Sequence, residues 1–150
     1  MKTISLDKKK TADGQVVLTS LLRQWQQIED HSVESTMHII QQTKNPFIKL
    51  LMEIIRQDSV MHKKVQQFIL DSMEIEAVTL TPEDVGEIWE NIERHAAMEK
   101  ETIELAVKAQ KECRLFVQSE LLTYLIEDEH LHDRLLGQLE DFKRKMYSNG

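Results

Sequence analysis

The sequence predicts an all-α protein of four long helices arranged as two matching hairpins. Three observations carry that prediction. The chain has 150 residues, 41% apolar and 30% charged, but only four Gly and two Pro, so it holds little turn chemistry. Apolar residues return every three or four positions through four separate stretches, the period of a helix with one buried face. The chain also repeats itself: a shift of 70 residues superimposes Glu29 on Glu99, Glu34 on Glu104, Leu51 on Leu121, Asp58 on Asp128 and His62 on His132 without a gap. At this length one domain with a single core is the default. Residues 1–14 read as a flexible leader, 15–142 as the helical bundle and 143–150 as a polar tail.

The first helix is expected from Gln15 to Thr43, because Leu18, Leu22, Trp25, Val33, Thr36 and Ile40 share a face, with Glu29 in the middle of that stripe. Asn45-Pro46 ends it, since proline disfavours the helical conformation in the residue before it. The second helix is expected from Pro46 to about Ser72, with the stripe Phe47, Leu51, Ile54, Ile55, Asp58, His62, Val65 and Ile69. The third has the clearest start: Thr81 caps, Pro82 suits the first helical position, and Glu83 and Asp84 favour the positive end of the helix dipole. Its inner face reads Val85, Ile88, Trp89, Ile92, Ala96, Glu99, Ile103 and Ala106. The fourth is expected from near Cys113, carrying Phe116, Leu122, Leu125, Ile126, Glu129, His132, Leu136 and Leu139, although no Gly or Pro marks the break before it.

Residues 73–81 decide the topology. An extended chain covers about 3.3–3.6 Å per residue, so this segment reaches roughly 30 Å, enough to return along a bundle and set the third helix parallel to the second. A compact loop in simple up-down order also fits. The repeat favours the crossover, because it makes the first and second pairs of helices equivalent hairpins.

Glu29, His62, Glu99, Glu129 and His132 each fall near the middle of a helix on its apolar stripe. Carboxylates are rarely buried without a partner, because an isolated buried charge costs several kcal/mol or shifts its pKa until neutral. Three glutamates converging in one core repel one another, and a divalent cation resolves the conflict. Residues three apart share a helix face, so Glu129 and His132 can serve one centre. From Glu to His is 33 residues in both copies of the repeat. His95, one turn before Glu99, is a reserve ligand, and its repeat equivalent Trp25 reads as core or pocket wall. His31, His38, His130, Glu34 and Glu104 read as surface residues, and Tyr124 as structural.

Lone glutamates on two helices and a Glu-x-x-His on each of the other two is the ligand pattern of di-iron carboxylate bundles. This chain supplies Glu29 and Glu99, a complete Glu129-His130-Leu131-His132, and Ser59-Val60-Met61-His62 with its carboxylate missing. Over residues 15–142 it resembles the ferritin-like superfamily, especially bacterioferritin and rubrerythrin. The resemblance implies a ferritin-like four-helix bundle, with pseudo-symmetric antiparallel hairpins joined by a crossover. It implies that Glu29 and His62 hold one metal, Glu99 and His132 another, and Glu129 bridges. Asp58 would orient His132 and Asp128 would orient His62 as hydrogen-bonding partners. The departure is Ser59, where the family has a second bridging glutamate.

The single cysteine and the lack of a signal-peptide pattern suggest a cytoplasmic location; the resemblance implies a non-haem protein that binds iron, as a di-iron centre, and reacts with oxygen or peroxide as a ferroxidase or peroxidase. Manganese or zinc are the alternative ions. Rubrerythrins often carry a Cys-rich electron-donor domain; none is seen, so a separate electron donor is expected. The fifth helix of bacterioferritin cages is not seen either, which favours a small oligomer, a homodimer, over bulk storage. The other reading is a non-catalytic metal-binding or interaction bundle with a degraded site.

Composition excludes several classes. A net charge of −7 argues against nucleic acid, whose binding depends on Lys and Arg neutralising phosphates, and the one basic cluster, Lys8-Lys9-Lys10, lies in the leader. No apolar stretch approaches the roughly 20 residues that span a bilayer, and the N-terminus lacks the apolar core of a signal peptide. Cys113 is the single cysteine, which excludes an intrachain disulfide and a Cys-x-x-Cys knuckle, and it reads as a small buried hydrophobe.

Overall fold

The computed structural model describes the backbone of residues 3–148 and the side chains of residues 12–148. Among the described residues there are five α-helices and no strand: α1 (Thr3–Gln42), α2 (Pro46–Glu74), α3 (Pro82–Gly86), α4 (Trp89–Glu112) and α5 (Phe116–Ser148). Contacts divide the chain into two compact units, Met1–Val78 and Thr79–Gly150, where composition suggested a single domain.

The helix boundaries follow local chemistry. Asn45 caps α2, its side chain accepting from the backbone N–H of Phe47 at 2.9 Å and of Ile48 at 3.2 Å, while Pro46 fills the first position, whose N–H is not needed. Thr81 and Asp84 form a reciprocal capping box at the start of α3, and that exchange of hydrogen bonds holds the Asp84 carboxyl below its ordinary value. The third predicted helix is not continuous. It breaks after Gly86, and Ile88 takes φ −108°, ψ 1° before α4 begins at Trp89. Glycine is a poor helix former, so this is where the helix yields. α4 ends at Glu112, and Cys113 turns to extended backbone (φ −80°, ψ 130°).

Two bounds differ from expectation. α1 begins at Thr3, inside the segment read as a leader, and α5 runs to Ser148, inside the segment read as a tail. The side chains of Lys8-Lys9-Lys10, and all of Met1, Lys2, Asn149 and Gly150, lie outside the described residues.

In the first unit α1 and α2 pack as an antiparallel hairpin. Arg23 meets Glu74, Gln26 meets Gln67, Glu29 meets His62 and Ser32 meets Ser59, one number rising as the other falls. The second unit pairs α4 and α5 in the same sense: Lys143 lies over the Trp89 ring, Glu99 meets His132, and Gln110 donates to Thr123. The short α3 packs on α5 and buries Val85.

The seam of each hairpin uses only one edge of the expected apolar stripe. In the first hairpin the buried residues are Leu22, Gln26, Glu29 and Thr36 on α1 with Ser59, Gln66 and Leu70 on α2. Leu18, Trp25, Val65 and Ile69, expected in the core, are exposed, as are Ile88, Phe116 and Leu125 in the second hairpin. An apolar stripe wider than about 100° can serve two neighbours, and a single partner helix covers only part of it. Among the described residues no helix is long and apolar enough to cross a membrane.

Candidate metal centre

The spacing of 33 residues brings glutamate and histidine together in both hairpins. Each pair straddles its interhelical turn symmetrically, so antiparallel packing sets the two residues opposite one another. Glu29 Oε1 lies 3.2 Å from His62 Nδ1, and Glu99 Oε1 lies 3.5 Å from His132 Nδ1. Both glutamates are buried, 6% and 7% exposed, while their histidines reach toward solvent.

Beyond that common pair the hairpins diverge. In the second, Glu99, Glu129 and His132 each offer a ligand atom within 4.8 Å of the others. His132 Nδ1 is 3.5 Å from Glu129 Oε2, and its Nε2 is 3.5 Å from Asp128 Oδ2. Asp128, which the resemblance pairs with His62, therefore makes its observed contact on its own helix. His95 Nε2 lies 2.9 Å from Glu99 Oε1, so the reserve ligand is a partner of the buried carboxylate.

The two carboxyls contend for one proton. The hydrogen bond between them pushes Glu129 above the ordinary glutamate value of 4.5, with burial and the Glu99 charge adding to the rise. The same bond holds Glu99 below 4.5 and outweighs the cost of burying it.

In the first hairpin Ser59 stands where Glu129 stands in the second, and it is buried, 5% exposed. Its hydroxyl donates to the Ser32 hydroxyl at 2.8 Å. Asp58 is exposed and makes no ion pair or hydrogen bond among the described residues. Among the described residues no third histidine, cysteine or carboxylate joins Glu29 and His62 within ligand reach. Of the remaining sequence assignments, His31, His38, His130, Glu34 and Glu104 are exposed as expected, Tyr124 and Cys113 are half-buried, and Trp25 is exposed.

The sequence reading passed over two features. Asp30 and Lys63 form an ion pair at 2.7 Å beside a cleft of about 440 Å³ that Ser59 also lines. Their equivalents under the same shift, Lys100 and Asp133, exchange the charges and line a cleft of about 340 Å³ in the second hairpin. Extending the repeat to opposite charges would have found them. Gln66 is buried with neither amide atom partnered, and its equivalent is the apolar Leu136. No family model, curated protein or solved structure matches the chain, so the ferritin-like reading rests on these residues alone.

Proposed function

We propose that the chain is a metal-binding helical protein whose ion is held by Glu99, Glu129 and His132. The observation that supports it is the convergence of these three donors about a buried glutamate. Two carboxyls competing for one proton are better matched by a divalent cation, which neutralises both at once. His132 is oriented from behind by Asp128, and Glu99 is tethered by His95, so outer partners brace two of the donors.

Three protein donors leave positions open for water or a small ligand. A mixed carboxylate and imidazole set suits iron, manganese or zinc. Iron in such a site would supply oxidoreductase chemistry on oxygen or peroxide, with electrons from a separate donor. The finer structural proposal is that the hairpins are the halves of a ferritin-like four-helix bundle. It is supported by exposed apolar residues at heptad spacing, Leu18, Leu21, Trp25 and Ile28 on α1 and Met61, Val65 and Phe68 on α2, which need a cover. A second reading is the same bundle without turnover, and Ser59 favours it, because its hydroxyl is committed to Ser32.

Anaerobic calorimetric titration of metal-free protein with zinc and ferrous iron tests the proposal. Saturable binding is expected, weakened more than about tenfold by Glu99→Gln; no saturable binding refutes it. Sustained oxygen or peroxide consumption by the iron-loaded protein with a supplied reductant separates the catalytic reading from the non-catalytic one.

A further inference from the structure

We infer that the protein takes up one metal ion per chain, wholly within the second hairpin, and that the matching Glu29–His62 pair stays a metal-free hydrogen bond. This rests on the metal-binding reading above and narrows it. Atoms sharing a tetrahedral ion at about 2.0–2.2 Å stand roughly 3.3–3.6 Å apart. His132 Nδ1 is 3.5 Å from one oxygen of Glu99 and 3.5 Å from one oxygen of Glu129, a spacing that an ion accepts, and a ligand atom of each of the three lies within 4.8 Å of the others. All three come from α4 and α5. Asp128 on the other ring nitrogen of His132 leaves Nδ1 turned toward the carboxylates.

The first hairpin has the same frame and lacks the third donor. A hydroxyl is neutral and a poor ligand for a hard cation, and Ser59 spends its proton on Ser32. Glu29 and His62 satisfy one another at 3.2 Å. Within the first hairpin two donors, one of them a histidine 56% exposed to competing water, fall short of the three or four that protein metal sites use. The internal repeat thus carries one working copy and one silent copy. A one-ion site cannot clamp an oxygen pair between two metals, so any redox chemistry runs at a single centre with one imidazole and two carboxylates.

Titration with Co²⁺, whose visible absorption reports the bound ion, decides the matter. The wild-type chain is expected to bind one equivalent. The double variant Glu29→Gln/His62→Gln is expected to keep one equivalent with affinity within about threefold. Glu129→Ser, which copies Ser59 into the second hairpin, and the gentler Glu129→Gln are each expected to weaken binding at least about tenfold. Circular dichroism reports whether each variant keeps its helices. Two equivalents in the wild type, loss of binding in the double variant, or unchanged affinity in both Glu129 variants overturns the inference and leaves metal binding standing. No Co²⁺ uptake by the wild type removes both.

Discussion

Replacing Gln66 by leucine should stabilise the first hairpin, although it deletes a polar residue from a seam rich in them. Gln66 is 3% exposed, and neither its amide nitrogen nor its amide oxygen has a hydrogen-bond partner. Leu70, fully buried, lies one turn further along α2, and the equivalent position in the second hairpin is already Leu136. A buried donor or acceptor left unsatisfied costs about 1–3 kcal/mol, whereas an apolar side chain of similar volume carries no such cost. Counting the amide as one unit in the middle of that range gives a gain of about 2 kcal/mol. With a urea m-value of about 1–3 kcal/mol/M, the unfolding midpoint should rise by roughly 1 M. Urea unfolding followed by circular dichroism reads this directly, with exposed Gln27→Leu as the surface control, expected within about 0.5 kcal/mol of wild type. A loss of stability on Gln66→Leu would refute the reasoning, because it would mean that the amide is bonded in solution.

Other outcomes follow from the same contacts. Asn45→Ala removes the acceptor for two N–H groups at the start of α2 and should cost about 1 kcal/mol in urea unfolding. Leu70→Ala empties the most deeply buried side chain and should cost about 2–5 kcal/mol, the larger value if the seam cannot collapse. Ser59→Glu gives the first hairpin a third donor and should raise Co²⁺ stoichiometry from one to two; an unchanged value would mean that position 59 does not serve Glu29 and His62. Metal affinity should fall with acid by up to about tenfold per pH unit for each proton displaced. The sign follows from Glu129: its pKa is raised, so it keeps its proton to higher pH than an ordinary glutamate, and the fall should begin above 4.5. Glu129→Gln should abolish that component in a pH series of titrations.

Much of this architecture was legible because its signals are local. Asn45-Pro46 and Thr81-Pro82 mark helix starts with residues whose capping chemistry needs no tertiary context. The Glu29–His62 and Glu99–His132 contacts were legible for a geometric reason: residues equidistant from a hairpin turn must face each other. What sequence could not supply was the rotation of each helix about its axis. Leu18, Trp25 and Val65 belong to the same broad apolar stripe as Leu22 and Glu29, yet the hairpin covers only the edge that also holds Gln26, Ser59 and Gln66. The break between Gly86 and Trp89 was hidden for a related reason, since a stripe of apolar residues continues in register across it. His95 was ambiguous because i and i+4 neighbours share a face whether they bind an ion together or bond to each other.

Anomalous scattering from crystals grown with Mn²⁺ or Zn²⁺ tests the metal-binding claim most directly. The account predicts one strong peak per chain, about 2.0–2.2 Å from carboxylate oxygens of Glu99 and Glu129 and from Nδ1 of His132. A chain that crystallises in saturating metal with no peak at those three side chains would contradict it.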